Sequence, residues 1–152
     1  MSPVLDQETI DHVAIDRLQR RYADIVNRRA WAELEGIFVP DITVTLDLRD
    51  RTIELVGPRA VGEFIGASIA HMDLFEFVIL NSVIDIDGDE ASSRMFMWEL
   101  RHDPEAGRTN AYGLYRDRYA RLDGRWWFAA RLYCSVARTA GDTCITFELP
   151  EL

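Results

Sequence analysis

Two carboxylates lie on strand patterns that could support proton transfer. Glu76 shares one face of an alternating strand with Val78 and Leu80. A glutamate in an apolar, partly dry pocket is suited to act as a base or an acid, because burial disfavours its charged form. The pattern equally allows a structural role, in which Glu76 pairs with Arg101 or reaches solvent near the end of the strand.

Asp117 is the second candidate base. It shares a strand face with Tyr115 and Tyr119, and Arg131 lies on the next strand at a position compatible with pairing. A buried charge needs a partner whatever its role. The pattern therefore leaves two interpretations open, a structural salt bridge and a carboxylate that acts on a substrate.

Other residue types and spacings exclude several kinds of chemistry. All 17 basic residues are arginine, so no lysine is present to form a Schiff base or to act as a nucleophile. The histidines are scattered at His12, His71 and His102, and neither His-x-x-x-His nor Cys-x-x-Cys spacing occurs. The sequence therefore predicts no metal site and no cofactor.

Charge and hydropathy narrow the choice of partners. The net charge of -9 disfavours nucleic acid, because neutralising phosphates requires a basic face. No apolar run approaches the ~20 residues of a membrane span, and no charged-then-apolar leader opens the chain. We therefore expect a cytoplasmic protein that binds neither nucleic acid nor membrane, and 152 residues suit one domain.

Helical patterns come early in the chain and strand patterns come late. Asp6 can cap a first helix that turns Tyr22 inward and Asp24 outward. The later patterns predict a short helix at about 31–38 that stops at Pro40, a strand pair within 42–56, a helix after Gly57, and strands at about 73–86, 90–102, 109–121 and 125–138. This order predicts an α+β domain, with a curved mixed sheet wrapped around helices.

Three stretches carry a family resemblance. They are Tyr22-Ala-Asp24-Ile-Val-Asn27-Arg-Arg-Ala-Trp31, the hairpin from Asp85 to Ala91, and the strands from Tyr115 to Tyr119 and Asp123 to Arg131. Together they resemble SnoaL-like proteins of the nuclear transport factor 2-like superfamily, which includes scytalone dehydratase and ketosteroid isomerase. The resemblance implies a cone-shaped α+β barrel enclosing a pocket, with a SnoaL-like domain at 1–139 and a tail at 140–152 that forms an edge strand or a pocket flap.

The resemblance also implies which side chains face the pocket. Family members often carry a catalytic aspartate where this chain has Asn27, and pocket histidines where it has Glu76 or Phe77 and, on the next strand, Arg101. From this we predict one set of catalytic residues and one of substrate-binding residues. The catalytic set is Glu76, Asp117, Tyr22 and Asn27, and the substrate-binding set is Tyr115, Arg101, Met97, Leu46 and Trp31.

Two functions of different class follow from the resemblance. The first is a cofactor-independent isomerase, cyclase or dehydratase that transfers a proton on a small hydrophobic carbonyl compound of polyketide or steroid type, with Glu76 or Asp117 as base. The second is a non-catalytic dimeric protein that binds a small hydrophobic molecule, an interpretation favoured by the loss of the aspartate and the histidines. The small subunit of ring-hydroxylating dioxygenases shares the implied fold and is a third possibility, weakened by the shortness of this chain.

The family register also makes a prediction about assembly. It turns the even positions of the strand at 73–86 toward the helices, so that Phe75 and Phe77 lie outside beside Phe96 and Trp98 of the next strand. An apolar stripe of this size is seldom left in water. We therefore expect a homodimer formed through this face of the sheet.

Overall fold

The computed structural model describes residues 6–152. Within these residues, two α-helices and one 3-10 helix (Trp31–Gly36) accompany seven strands. The α-helices are α1 (Gln7–Arg28) and α2 (Pro58–Ile69). The strands are β1 (Phe38–Asp47), β2 (Thr52–Val56), β3 (Leu74–Asp87), β4 (Glu90–Asp103), β5 (Gly107–Leu122), β6 (Arg125–Ala140) and β7 (Thr143–Thr146).

All seven strands form one curved, unclosed sheet. The order across it is β2-β1-β6-β5-β4-β3, and β7 pairs with the end of β6. Strand β1 runs parallel to β6, whereas the other neighbours are antiparallel. Helix α1 packs mainly against β3 and also against β6. The predicted α+β class with a mixed sheet around the helices is confirmed.

Helix α1 follows its sequence signals closely. Asp6 is the N-cap, and its side chain accepts a hydrogen bond of 2.7 Å from the Thr9 amide. Tyr22 is buried, as the helical spacing of the apolar residues predicts. Asp24 faces outward and pairs with Arg28 one turn later at 2.7 Å.

Strand β3 contains a bulge that reverses its two faces. Ile79 pairs with Met97, but Asn81 pairs with Phe96, so Leu80 is an extra residue. Side chains alternate with period two, so one extra residue moves the following side chains to the opposite face. Before the bulge the odd positions are therefore buried, and Phe75 and Phe77 point inward, against prediction. After the bulge the even positions are the more buried ones.

The region around Pro40 also differs from prediction. The expected second helix is a 3-10 helix that ends at Gly36, and β1 already begins at Phe38. Phe38 pairs with Phe128, and regular pairing with β6 resumes only at Thr43. Pro40 lies in this irregular part, where its missing N–H breaks no ladder hydrogen bond.

The tail adds an edge strand, and the residues after it contact two arginine side chains. Strand β7 pairs antiparallel with the end of β6, as in the edge-strand alternative for the tail at 140–152. Beyond it, Arg49 donates to the carbonyl of Glu148 at 2.6 Å, and Arg116 donates to the carbonyl of Glu151 at 2.9 Å. Two arginine side chains therefore hold the last residues through hydrogen bonds to their backbone carbonyls.

Candidate functional site

A cavity of about 360 Å³ lies between the two α-helices and the sheet. Side chains from α1, α2, the turn between β1 and β2, and strands β1, β3, β4, β5 and β6 form its wall. The apolar wall residues are Val26, Leu46, Leu48, Phe64, Ile65, Ile69, Phe75, Phe77 and Ala111. The polar wall residues are Tyr22, Tyr115, Tyr133, Ser68, Ser135, Asp50, Arg51, Glu99, Arg101 and Arg138.

Three tyrosines make up much of the polar wall. The ring centres of Tyr115 and Tyr133 are 5.1 Å apart, and those of Tyr22 and Tyr115 are 6.3 Å apart. Burial raises the pKa of all three phenols, most strongly that of Tyr115. Their hydroxyl groups therefore remain protonated at neutral pH and can donate hydrogen bonds to an oxygen inside the cavity.

Tyr133 was not among the predicted site residues, although Gly113 on the neighbouring strand makes room for its ring. A Cβ atom added at Gly113 would lie 2.1 Å from the Tyr133 ring. The missing side chain of Gly113 on β5 therefore makes room for the Tyr133 ring on β6. Tyr133 also lies two residues after Arg131, so the alternation of β6 turns both side chains inward.

Glu99 is the acidic residue on the cavity wall that is largely shielded from water. Its side chain is 14% exposed, whereas Asp50, the other acid on the wall, is exposed. Glu99 accepts a 2.9 Å hydrogen bond from the Nε of Arg101 and a second one from the Nη2. The two residues are two apart on β4, so both project from the same face. The cavity thus contains a carboxylate held by a guanidinium.

Asp117 and Arg131 form the predicted ion pair in the interior. The Nε of Arg131 is 2.7 Å from Oδ1 of Asp117, and Nη2 is 3.0 Å from Oδ2. The side chains are only 1% and 0% exposed for Arg131 and Asp117. Burial raises the pKa of the Asp117 carboxyl, and the charge of Arg131 opposes that rise. Neither side chain is part of the cavity wall.

Arg131 nevertheless supports that wall from behind. Its guanidinium carbon lies 4.1 Å from the ring centre of Tyr22, 4.0 Å from that of Tyr115 and 4.5 Å from that of Phe128. These distances allow favourable cation–π contacts with the rings. The ion pair therefore fixes the position of two of the tyrosines that face the cavity.

A buried polar network holds Asp117 in place. Tyr119 donates to Asp117 across 3.3 Å and shares hydrogen bonds with Gln19 at 2.9 Å and Ser93 at 2.8 Å. Burial raises the pKa of the Tyr119 phenol, so its hydroxyl stays available as a donor. Gln19 lies on α1, and the network therefore connects that helix to β4 and β5. No signal in the sequence analysis identified Gln19 or Ser93.

Four of the nine predicted site residues line the cavity: Tyr22, Tyr115, Arg101 and Leu46. Glu76 does not, because it precedes the bulge at Leu80 and projects from the exposed face of β3. Met97 is completely buried in the core. Its side chain is not part of the cavity wall. Asp117 lies in the ion pair described above.

Asn27 and Trp31 hold elements of the fold together, Asn27 through hydrogen bonds and Trp31 through packing. The Asn27 amide nitrogen donates to the Phe77 carbonyl at 3.1 Å, and its oxygen accepts from the Phe77 amide at 2.6 Å. Trp31 packs against α2, where a Cβ atom added at Gly62 or Gly66 would come within 2.9 or 3.0 Å of it. Neither side chain belongs to the cavity wall.

Metal-binding clusters and membrane-spanning helices are both absent from residues 6–152. Within this range no group of three or more His, Cys, Asp and Glu side chains is arranged to hold a metal ion. No helix there has the length and the apolar surface needed to cross a membrane.

Fold and cavity together define a helix-and-sheet pocket protein, and the family follows from the sequence match. A family model described as the SnoaL-like domain matches residues 7–132. The chain therefore belongs to the SnoaL-like family, which confirms the resemblance of the first helix and the later strands.

Solved structures show the same fold at low identity. A protein from Novosphingobium aromaticivorans described as a scytalone dehydratase candidate is 20% identical, with a TM-score of 0.79 over 95% of this chain and 97% of that one. A hexachlorocyclohexane dehydrochlorinase from Novosphingobium barchaimii is 18% identical, with a TM-score of 0.78 over 94% and 97%. An NTF2-like protein with a cystatin-like fold, also from Novosphingobium aromaticivorans, is 17% identical, with a TM-score of 0.73 over 85% and 84%.

Proposed function

We propose that this protein binds a small, largely hydrophobic carbonyl compound and transfers a proton on it without a cofactor. The reaction class is that of an isomerase, a cyclase or a dehydratase acting on a polyketide-like or steroid-like compound. The observation that carries the proposal is Glu99, a shielded carboxylate on an apolar cavity wall that also presents Tyr22, Tyr115 and Tyr133. A cytoplasmic location and a homodimeric state belong to the same proposal.

The proposed base is Glu99, because neither Glu76 nor Asp117 lines the cavity. The Glu99 carboxylate removes a proton from the carbon next to the substrate carbonyl. The electron pair moves onto the carbonyl oxygen, and tyrosine hydroxyls stabilise the resulting enolate by donating hydrogen bonds. Return of the proton from Glu99 to another carbon gives isomerisation. Transfer of that proton to a β-hydroxyl, with cleavage of its bond to carbon and loss of water, gives dehydration.

The comparisons support a lyase-type reaction in general terms. Relatives of the same fold are named for dehydration and for dehydrochlorination. Both names describe removal of a small molecule from a substrate. Arg101 would hold the Glu99 carboxylate in a fixed orientation, which favours proton transfer in a defined direction.

Two observations favour the alternative of a non-catalytic binding protein. The carboxylate oxygen Oε2 of Glu99 already accepts hydrogen bonds from Arg101. The position of the family aspartate is occupied by Asn27, which is bonded to the backbone of β3. A protein of this kind would bind the same class of hydrophobic compound and would not change it.

Hydrogen–deuterium exchange into 2-tetralone, a bicyclic ketone, distinguishes the two functions. The parent protein should accelerate exchange at the carbon next to the carbonyl, measured by NMR in D₂O. Glu99→Gln should slow it by a factor of about 10²–10⁴, the usual contribution of a general base, with little change in ketone affinity. Glu76→Gln, on the exposed face of β3, is the matched control and should leave the rate unchanged.

Two outcomes would contradict the catalytic proposal. Binding of the ketone by the parent without any acceleration of exchange would favour the binding protein. Acceleration that survives in Glu99→Gln would show that another group is the base.

A further inference from the structure

The cavity wall carries more positive than negative charge, although the whole chain carries -9. Its ionisable residues other than tyrosine are Arg51, Arg101, Arg138, Asp50 and Glu99. Arg101 and Glu99 neutralise each other through their ion pair. Two arginines then remain against one exposed aspartate.

Arg138 is held in place by neutral groups. Its Nη2 donates to the carbonyl of Leu48 at 2.6 Å and lies 3.3 Å from the hydroxyl of Ser135. The ring of Phe147 covers one side of the guanidinium, with 5.5 Å between its centre and the guanidinium carbon. No carboxylate of residues 6–152 lies within ion-pair distance, so the positive charge of Arg138 is uncompensated by direct contact.

The remaining donors of Arg138 are available to a ligand. Within the described part of the chain, its Nε and Nη1 groups have no hydrogen-bond acceptor. Ser135 links Arg138 to the cavity tyrosines, because its hydroxyl is 3.5 Å from that of Tyr133. The charges of Glu99 and Arg138 both influence the pKa of the Tyr133 phenol, after the larger effect of burial. Arg138 therefore belongs to the same site as the proposed base.

Arg51 adds a second positive charge at the turn between β1 and β2. It is exposed, lines the cavity, and forms no ion pair within residues 6–152. Neighbouring Asp50 also lines the cavity without such a pair. A guanidinium without a carboxylate partner at a cavity wall is suited to bind an anionic ligand group.

We propose that the natural ligand of this cavity carries a carboxylate, bound by Arg138 and Arg51, on an aromatic or alicyclic body that fills the apolar part. This inference rests on the proposed function for the choice of cavity and adds the chemical class of the substrate. An acid of this kind would place its carbonyl-bearing ring toward Glu99 and the tyrosines. The free Nε or Nη1 group of Arg138 can donate a charge-assisted hydrogen bond to this carboxylate.

A matched pair of ligands tests the charge requirement directly. 2-Naphthoate and 2-naphthamide have the same ring system and nearly the same size, but only the first is anionic. Titration calorimetry should show that the parent binds the carboxylate at least about tenfold more tightly than the amide, since hydrogen bonds to charged groups are the stronger ones. The preference should weaken as salt is added.

Variants of the two arginines locate the preference. Arg138→Gln and Arg51→Gln should each reduce the ratio of the two affinities, and the double variant should bring it close to one. The amide affinity should stay unchanged, which also shows that each variant retains a folded cavity. Arg59→Gln is the matched control, because Arg59 pairs with Glu63 on the exposed face of α2 and should not alter either affinity.

The possible failures separate this inference from the proposed function. Equal affinities in the parent, or a preference that survives in the double variant, would overturn the carboxylate inference. Ketone exchange that still depends on Glu99 would then leave the proposed function standing. Failure of both naphthalene compounds to bind would count against both proposals, because the cavity would not accept a flat hydrophobic body.

Discussion

The buried charge of Arg131 lies beside the cavity, surrounded by aromatic rings and one carboxylate. Its guanidinium contacts three aromatic rings and one carboxylate, and its side chain is 1% exposed. A charge this deeply buried is stable only with compensation, which Asp117 supplies through two hydrogen bonds. Removing the carboxylate would leave an uncompensated cation beneath Tyr22 and Tyr115.

We predict that Asp117→Asn lowers the free energy of unfolding by ~3–5 kcal/mol, the usual cost of breaking a buried ion pair by removing one partner. Urea denaturation followed by circular dichroism measures this change. Asp24→Asn, which removes an exposed partner of Arg28, is the control and should behave like the parent. A parent-like Asp117→Asn would show that the pair contributes nothing to stability. Loss of activity with unchanged stability would assign the carboxylate to catalysis.

The sequence predicts some of these side-chain positions well and others badly, for a physical reason. Asp117, Tyr115 and Arg131 follow the period-two alternation of β5 and β6 and are buried as predicted. The same rule predicted that the Glu76 side chain points inward. This prediction is wrong, because the extra residue at Leu80 changes the phase of β3. Both faces of β3 are apolar near its start, so hydrophobicity alone could not reveal the correct phase.

At the scale of elements, Asn27 joins α1 to the outermost strand of the sheet. Strand β3 pairs only with β4 among the described strands, so backbone groups on its other side lack strand partners. The Asn27 side chain satisfies both backbone groups of Phe77, one as donor and one as acceptor. An asparagine can do this, whereas an ionised aspartate can only accept.

Two substitutions of Asn27 follow from this geometry. Asn27→Ala should speed hydrogen exchange at the Phe77 amide, measured by NMR, because both hydrogen bonds are lost. Asn27→Asp should keep the bond from the Phe77 amide and lose the one to its carbonyl, and should not raise the rate of ketone exchange, because this side chain lies outside the cavity wall. A gain of activity in Asn27→Asp would instead show that the position reaches the substrate.

The ends of the four long strands were easier to predict than the helix type at Trp31–Gly36 and the start of β1. The four long strands were predicted within about two residues of their observed ends, because Asp-Gly turns and the polar loop at 103–107 separate them. The cap at Asp6 was predicted from its chemistry and is present. The 3-10 helix at Trp31–Gly36 and the early start of β1 were not predicted, since both arise from packing against α2 and β6.

At the scale of the whole molecule, the bulge in β3 also redefines the exposed apolar face. Phe75 and Phe77 are buried inside, so the outer stripe consists of Val78 and Leu80 on β3 with Phe96 and Trp98 on β4. Leu80 is 53% exposed. Trp98 is oriented by stacking on Tyr112 and by a 2.9 Å hydrogen bond to Asn110. The prediction of an outward apolar stripe thus remains, with different members.

The proposed homodimer should form through this corrected stripe. Leu80→Arg combined with Trp98→Arg places two charges on the outer face of the sheet, where a dimer would have to bury them, and should yield monomer in multi-angle light scattering. Val13→Arg, which changes a 44% exposed valine on α1, is the control and should leave the dimer intact. Naphthoate binding should persist in both variants, because none of the three residues lines the cavity. A dimer that survives the double change, or a parent that is monomeric from the start, would rule out this face as the interface.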